Sequence, residues 1–245
     1  MKRLLVLLMI VAPGLLLAQQ PVRIEMGTVM NAAGQPVSDG AMVYGAESLK
    51  KNVTYNDVKG SPFFNDTFRI SLLYDANNKL IGRALSRINF FNNQLHYRDQ
   101  AGNELTLAPD AIRKVQYVDR FNESIVLEEY VSDITAINQK QGKPVYVQVL
   151  NSGDTRLLRF QSKYLSTYDS LMGQFKRYMF ARRVDYYLQR QQSVEPLRKF
   201  SKERILAFTR QEEALTALAT REKLDFKKEE DVARLLQLFY NKPAQ

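Results

Sequence analysis

From Thr67 to about residue 190 the sequence is a succession of short apolar or alternating runs separated by turn-forming residues. A period of two sends alternate side chains to opposite faces of a strand, so a chain patterned this way is expected to fold as an antiparallel meander. Runs at 67–74, 80–88, 94–97, 104–107 and 115–118 read as strands, with turns at Asp75-Ala76-Asn77-Asn78, Asn92-Asn93 and 99–103. Pro109-Asp110 reads as the start of a single helical turn through Arg113, and 124–130 as a further strand. The plainest hairpin pairs 145–150 with 155–160 across Asn151-Ser152-Gly153-Asp154. Residues 162–176 read as a longer loop. Beyond it, Tyr178, Phe180, Val184, Tyr186 and Leu188 alternate along one side of a strand, a pattern that a helix can also satisfy.

After Pro196 the period becomes helical. Ser201 is placed to cap a helix over 202–209 that buries Ile205 and Phe208. A second helix, 211–223, presents Ala214, Leu215, Leu218 and Ala219. A third opens with Glu229, Glu230 and Asp231, which suit the positive end of its dipole. Val232, Leu235, Leu236 and Phe239 then form one stripe, and Pro243 stops the helix. Helices this short need tertiary packing. The expected class is α+β: an antiparallel β-meander, as an open sheet, sandwich or partial barrel, followed by a short C-terminal helical subdomain. An outer-membrane barrel has no use for three closing helices.

Met1-Lys2-Arg3 followed by an apolar run to Leu17 and the polar Gln19-Gln20 has the three-part layout of a secretory signal peptide, with cleavage expected after Ala18. The run falls short of the roughly 20 residues a transmembrane helix requires, and Pro13-Gly14 breaks it. The expected organisation is therefore a signal at 1–18, a turn-rich extended lead-in at 19–60, a β domain at 61–192 and a helical region at 193–245. The lead-in has short strands near 22–26 and 41–44. No transmembrane segment is expected after cleavage, and the expected location is periplasmic or extracellular. The chain contains no cysteine, which excludes disulfides, thiol nucleophiles and a lipid-bearing cysteine.

Four stretches, Gly60-Ser61-Pro62-Phe63-Phe64-Asn65, residues 87–97 around Phe90-Phe91-Asn92-Asn93, the 150–158 hairpin and Leu224-Asp225-Phe226-Lys227-Lys228-Glu229-Glu230-Asp231-Val232, resemble a group of uncharacterised Sec-exported proteins of the Bacteroidota. The resemblance implies export and a shared fold, and carries over no activity.

The chemistry-bearing residues are few. His96 is the single histidine, and one imidazole without cysteine makes no zinc site of the usual kinds. It reads as a strand histidine facing solvent or a polar partner. Glu128 and Glu129 are adjacent on a strand, so they point to opposite faces and cannot converge as a glycosidase pair. Glu212-Glu213 and the cluster at 229–231 open helices. Asp75-Ala76-Asn77-Asn78 lacks the glycine and glutamate of a calcium loop. No catalytic, metal or cofactor site is expected.

The formal charge of +9 becomes +7 without Lys2 and Arg3. Residues 19–165 hold 17 Lys and Arg against 15 Asp and Glu, whereas 166–245 hold 16 against 11, so the basic excess lies in the last third. Lys176, Arg177, Arg182, Arg183 and Arg190 interleave with Tyr178, Phe180, Tyr186 and Tyr187 and are the candidate anion-binding residues. Asp169-Ser170-Leu171 resembles a short O-glycosylation tripeptide. The expected function is that of an exported, non-enzymatic binding or structural protein of the cell envelope. Its partner would be an envelope protein or an anionic polymer, with peripheral membrane contact and no nucleic acid. An anionic-surface binder, engaging lipid head groups or polysaccharide through the basic third, and an envelope hydrolase are the alternatives.

Overall fold

The computed structural model describes residues 28–29, 48–50, 53–170 and 175–240, with side chains over 53–169 and 177–240. The signal region, the expected strands at 22–26 and 41–44, and Pro243 lie outside the described residues. In chain order the strands are β1 (Thr28–Val29), β2 (Ser48–Lys50), β3 (Val53–Thr54), β4 (Val58–Lys59), β5 (Arg69–Tyr74), β6 (Leu80–Asn89), β7 (Gln94–Arg98), β8 (Glu104–Leu107), β9 (Lys114–Val118) and β10 (Val126–Val131). Helix α1 (Thr135–Gln141) precedes β11 (Val147–Val149), β12 (Thr155–Ser170), β13 (Phe175–Arg190) and β14 (Ser193–Pro196). The chain closes with α2 (Lys202–Thr209), α3 (Glu212–Glu222) and α4 (Glu229–Tyr240).

The main sheet is open and mostly antiparallel, in the order β14-β13-β12-β11-β10-β9-β5-β6-β7-β8. Two short strands join off this path: β1 beside β6, and β4 parallel to β13. The sheet is followed by C-terminal helices, as the α+β pattern implies. Neighbours in sequence are mostly neighbours in the sheet, which is what alternating runs with tight turns produce. At the Asp75 turn the carboxylate accepts from the main-chain N–H of Asn77 and Lys79, and Asn78 takes a positive φ of 61°. Asn tolerates that region because its short polar side chain bonds locally.

Three local expectations are corrected. Residues 162–170 and 175–176 are not loop: β12 continues through Ser170 and β13 begins at Phe175, with unbroken register from Thr155↔Arg190 to Ser170↔Phe175. At about 3.4 Å per residue this 16-residue ribbon is on the order of 50 Å long. The segment 109–113 makes a hydrogen-bonded turn, Ala111 N–H to the Ala108 carbonyl, rather than a helical one. Helix α1 was not expected at all. Gly142 ends it in the left-handed region at φ 72°, and Asn138 ties it down, donating to the Ser132 carbonyl and accepting from Val145 N–H.

The base of the long hairpin is buried on both faces. On one face Leu158, Phe160 and Tyr187 pack with Val131, Ile134, Ile137 and Val147 under α1. On the other, Leu157 and Leu188 pack with Ile205 of α2 and with Val232 and Leu236 of α4. Helix α3 packs on its fellow helices, with Leu215 and Leu218 against Leu206 and Leu235. Ser201 caps α2 by accepting from Arg204 N–H, and the Val232, Leu235 and Leu236 stripe is buried. At the hairpin turn that leads into β12, Gly153 has φ 114°, and a Cβ there would fall 2.5 Å from Cβ of Tyr240. Only glycine lets α4 sit this close.

Candidate functional site

The sheet holds a recess of about 190 Å³ lined by residues from four separate stretches of chain. Segment 64–69, at the start of β5, supplies Phe64, Asn65, Thr67 and Arg69; β9 and β10 supply Tyr117, Glu128 and Tyr130; β12 supplies Arg159 and Gln161. Ile88, Phe90 and Arg87 complete it from β6 and the turn that follows. Asn65 and Thr67 are exposed, so the recess opens to solvent at their end.

Cross-strand register brings these groups together. Glu128 lies opposite Tyr117, Tyr130 opposite Gln148, and Gln148 opposite Arg159, and opposed residues share a face. The Arg69 guanidinium meets Glu128 through two bonds, of 2.6 and 3.2 Å, and stacks 3.9 Å from the centre of the Tyr117 ring. The Tyr130 hydroxyl donates to the other side of the same carboxylate at 2.8 Å. Burial works to raise the Glu128 carboxyl, but the Arg69 bonds and charge outweigh it and hold the group below its ordinary 4.5. Glu128 is therefore a fixed anion, saturated by its neighbours and unsuited to delivering a proton. Burial pushes the Tyr117 hydroxyl up to about 12 and Tyr130 well above its usual value. Both stay neutral hydroxyls at physiological pH.

The other arginines of the recess are also matched. Arg87 donates to both oxygens of Glu104 at 2.8 and 3.1 Å. Arg159 meets Glu229 of α4 at 2.6 Å and the Gln148 amide oxygen at 2.7 and 3.1 Å, and Tyr186 donates to Glu229 as well. His96 is fully buried behind this wall, its Nδ1 2.6 Å from Glu104 and its ring edge-on to Phe63, so it faces a polar partner. Glu129 accepts from Gln116 on the opposite face from Glu128.

The mouth differs. Lys163 and Arg182 are direct cross-strand partners, and both cations sit over one ring, Phe64, at 4.9 and 4.6 Å. Neither has a carboxylate partner within ion-pair distance among the described residues; Asp66 lies near enough to Lys163 to oppose, weakly, the fall in its pKa. Burial, then the Arg182 charge, lowers the Lys163 ammonium from its ordinary 10.5. Like charges directly opposed on a strand pair destabilise it, and local costs of this kind cluster at functional positions.

Comparison with protein-family models, curated proteins and solved structures finds no match to this chain.

Of the five candidate basic residues, the structure places only Arg182 at this mouth. Arg177 and Arg183 alternate to the other face, where Arg183 pairs with Asp185 at 2.9 Å. Arg190 donates to the Thr209 carbonyl at the end of α2. Lys176 lies opposite Asp169 in the ribbon, with its side chain outside the described residues, as is that of Ser170. Phe64, Lys163 and the recess arginines were missed, since only register and the course of segment 61–68 bring them together. The ribbon from 155 to 190 holds eight Lys and Arg against two Asp, and 191–245 holds eleven against nine Asp and Glu. Within 166–245 the surplus divides nearly evenly, with five Lys and Arg against two Asp up to residue 190 and eleven against nine beyond it. Among the described residues no helix is long and apolar enough to cross a membrane.

Proposed function

We propose that this chain is an exported cell-envelope protein, periplasmic or extracellular, that acts by binding an anionic polymer at the mouth formed by Lys163, Arg182 and Phe64. The observation that carries the reading is the unmatched, directly opposed cation pair over one aromatic ring, set beside three arginines that each have a carboxylate. An anion seated there relieves the repulsion between the two cations, so part of its binding energy comes from removing a cost already present in the free protein. The N-terminal charge, apolar run and polar boundary support export.

The test is binding of immobilised polyphosphate and polygalacturonate across a salt series. Affinity is expected to fall steeply with salt, and the double variant Lys163→Met, Arg182→Met to lose at least about tenfold while flattening that slope by roughly one to two ions. Methionine keeps the aliphatic packing on Phe64 and removes the charge. A double variant that binds like the parent sinks the proposal, as does binding to anionic vesicles in place of both polymers.

A further inference from the structure

Resting on that reading, we infer that the recess behind the mouth takes one acidic sugar residue of the polymer: a hydroxyl-bearing six-membered ring whose anionic substituent lies against Lys163 and Arg182. Size sets the first limit. About 190 Å³ corresponds to some six waters at about 30 Å³ each, well below the roughly 300–1,000 Å³ of a drug-sized site. That is room for a single ring-sized group.

The lining sets the second. Phe64, half-buried and packed edge-to-face on the buried Phe90 at 4.8 Å, is the aromatic ring of the lining that the C–H groups of a sugar can reach. Around it stand planar side chains with several donors or acceptors apiece: Arg69, Arg159, Gln161 and Asn65. A hydroxyl donates one hydrogen bond and accepts up to two, so neighbouring hydroxyls on a ring match such groups better than a bare anion does. Donor capacity remains. Arg159 spends Nε and one N–H from each terminal nitrogen on Glu229 and Gln148, which leaves two of its five N–H groups. A polyanion without rings, by contrast, has use only for the two cations at the mouth.

The experiment is competition against immobilised polygalacturonate with four probes: galacturonate, galactose, galactose 6-phosphate and inorganic phosphate. The expected result is displacement by galacturonate at least about tenfold more effective than by galactose or phosphate. Displacement by galactose 6-phosphate in place of galacturonate also supports an anionic ring, and assigns its substituent as phosphate. Thr67→Trp, at the exposed rim, is expected to close the recess without disturbing the core, abolishing this competition while polyphosphate still binds. Equal competition by inorganic phosphate, or an unchanged Thr67→Trp protein, overturns the sugar site and leaves the anionic-polymer reading standing. Failure of both polymers to bind removes both.

Discussion

Arg159 and Lys163 stand four residues apart on the same face of β12, yet only Arg159 has a carboxylate to meet. At the base of the ribbon the Arg159 charge is answered by Glu229 of α4, while the Gln148 amide oxygen accepts from the same guanidinium and Tyr186 donates to Glu229. Two pleat repeats further out, Lys163 faces Arg182 and shares Phe64 with it. Leu157 and Leu188 are buried under the helices at the base, whereas Tyr164 is half exposed farther out. The same hairpin is thus structural where its cations are matched and costly where they are not. A cost kept where the recess arginines beside it are each matched points to a use outside the folding of the chain.

The sharpest break of this contrast comes from the base. Leu157→Ala removes a fully buried side chain between β12 and the helices and is expected to cost about 3 kcal/mol. The midpoint of urea unfolding measures it. A loss no larger than that of a surface substitution would mean that the helices do not depend on the hairpin. Glu229→Ala should cost less, about 1–2 kcal/mol, by leaving Arg159 and the Tyr186 hydroxyl without their acceptor in a partly exposed setting. If the variant unfolds at the parent's urea midpoint, the matched charge at the base contributes no more than the unmatched one at the mouth, and the distinction between the two ends fails.

Much of the base was legible in the sequence, and little of the mouth. The Ser201 cap, the acidic first turn of α4 and its Val232, Leu235, Leu236 stripe are local signals with local causes, and the structure keeps them. Strands β5, β6 and β9 bury mainly one face, so their alternation survives in the letters. The outer ribbon does not. Around Ser162, Ser166 and Thr167 neither face is buried throughout, so alternation gave no warning that the strand continues. Helix α1 was hidden for another reason: seven residues with Ile137 as their one buried side chain make no stripe. The site needed more still. Arg182 was singled out for its neighbours in sequence, but Lys163 acquires meaning only from the register that sets it opposite, and Phe64 only from the course of segment 61–68 across the sheet.

The smallest expected effect is the most discriminating. Lys163→Met should change stability by less than about 1 kcal/mol, and in the stabilising direction, because it removes a like-charge cross-strand pair. Its pH dependence follows from the direction of the Lys163 shift. Burial and Arg182 lower the folded-state pKa below 10.5, so at neutral pH the ammonium is charged in both states and the folded state bears the whole repulsion. As pH rises through the lowered folded value toward 10.5, the folded protein releases its proton first and the cost disappears. The stability gap between Lys163→Met and the parent should therefore be widest near neutral pH and close as pH approaches 10.5. Taking the difference between the two proteins cancels every other titrating group they share. Saturating polygalacturonate at neutral pH should narrow the same gap, since a bound anion neutralises the repulsion that the substitution removes. A gap indifferent to both pH and polymer would show that Lys163 and Arg182 are separately solvated, and the contrast between the two ends of the hairpin would lose its physical basis.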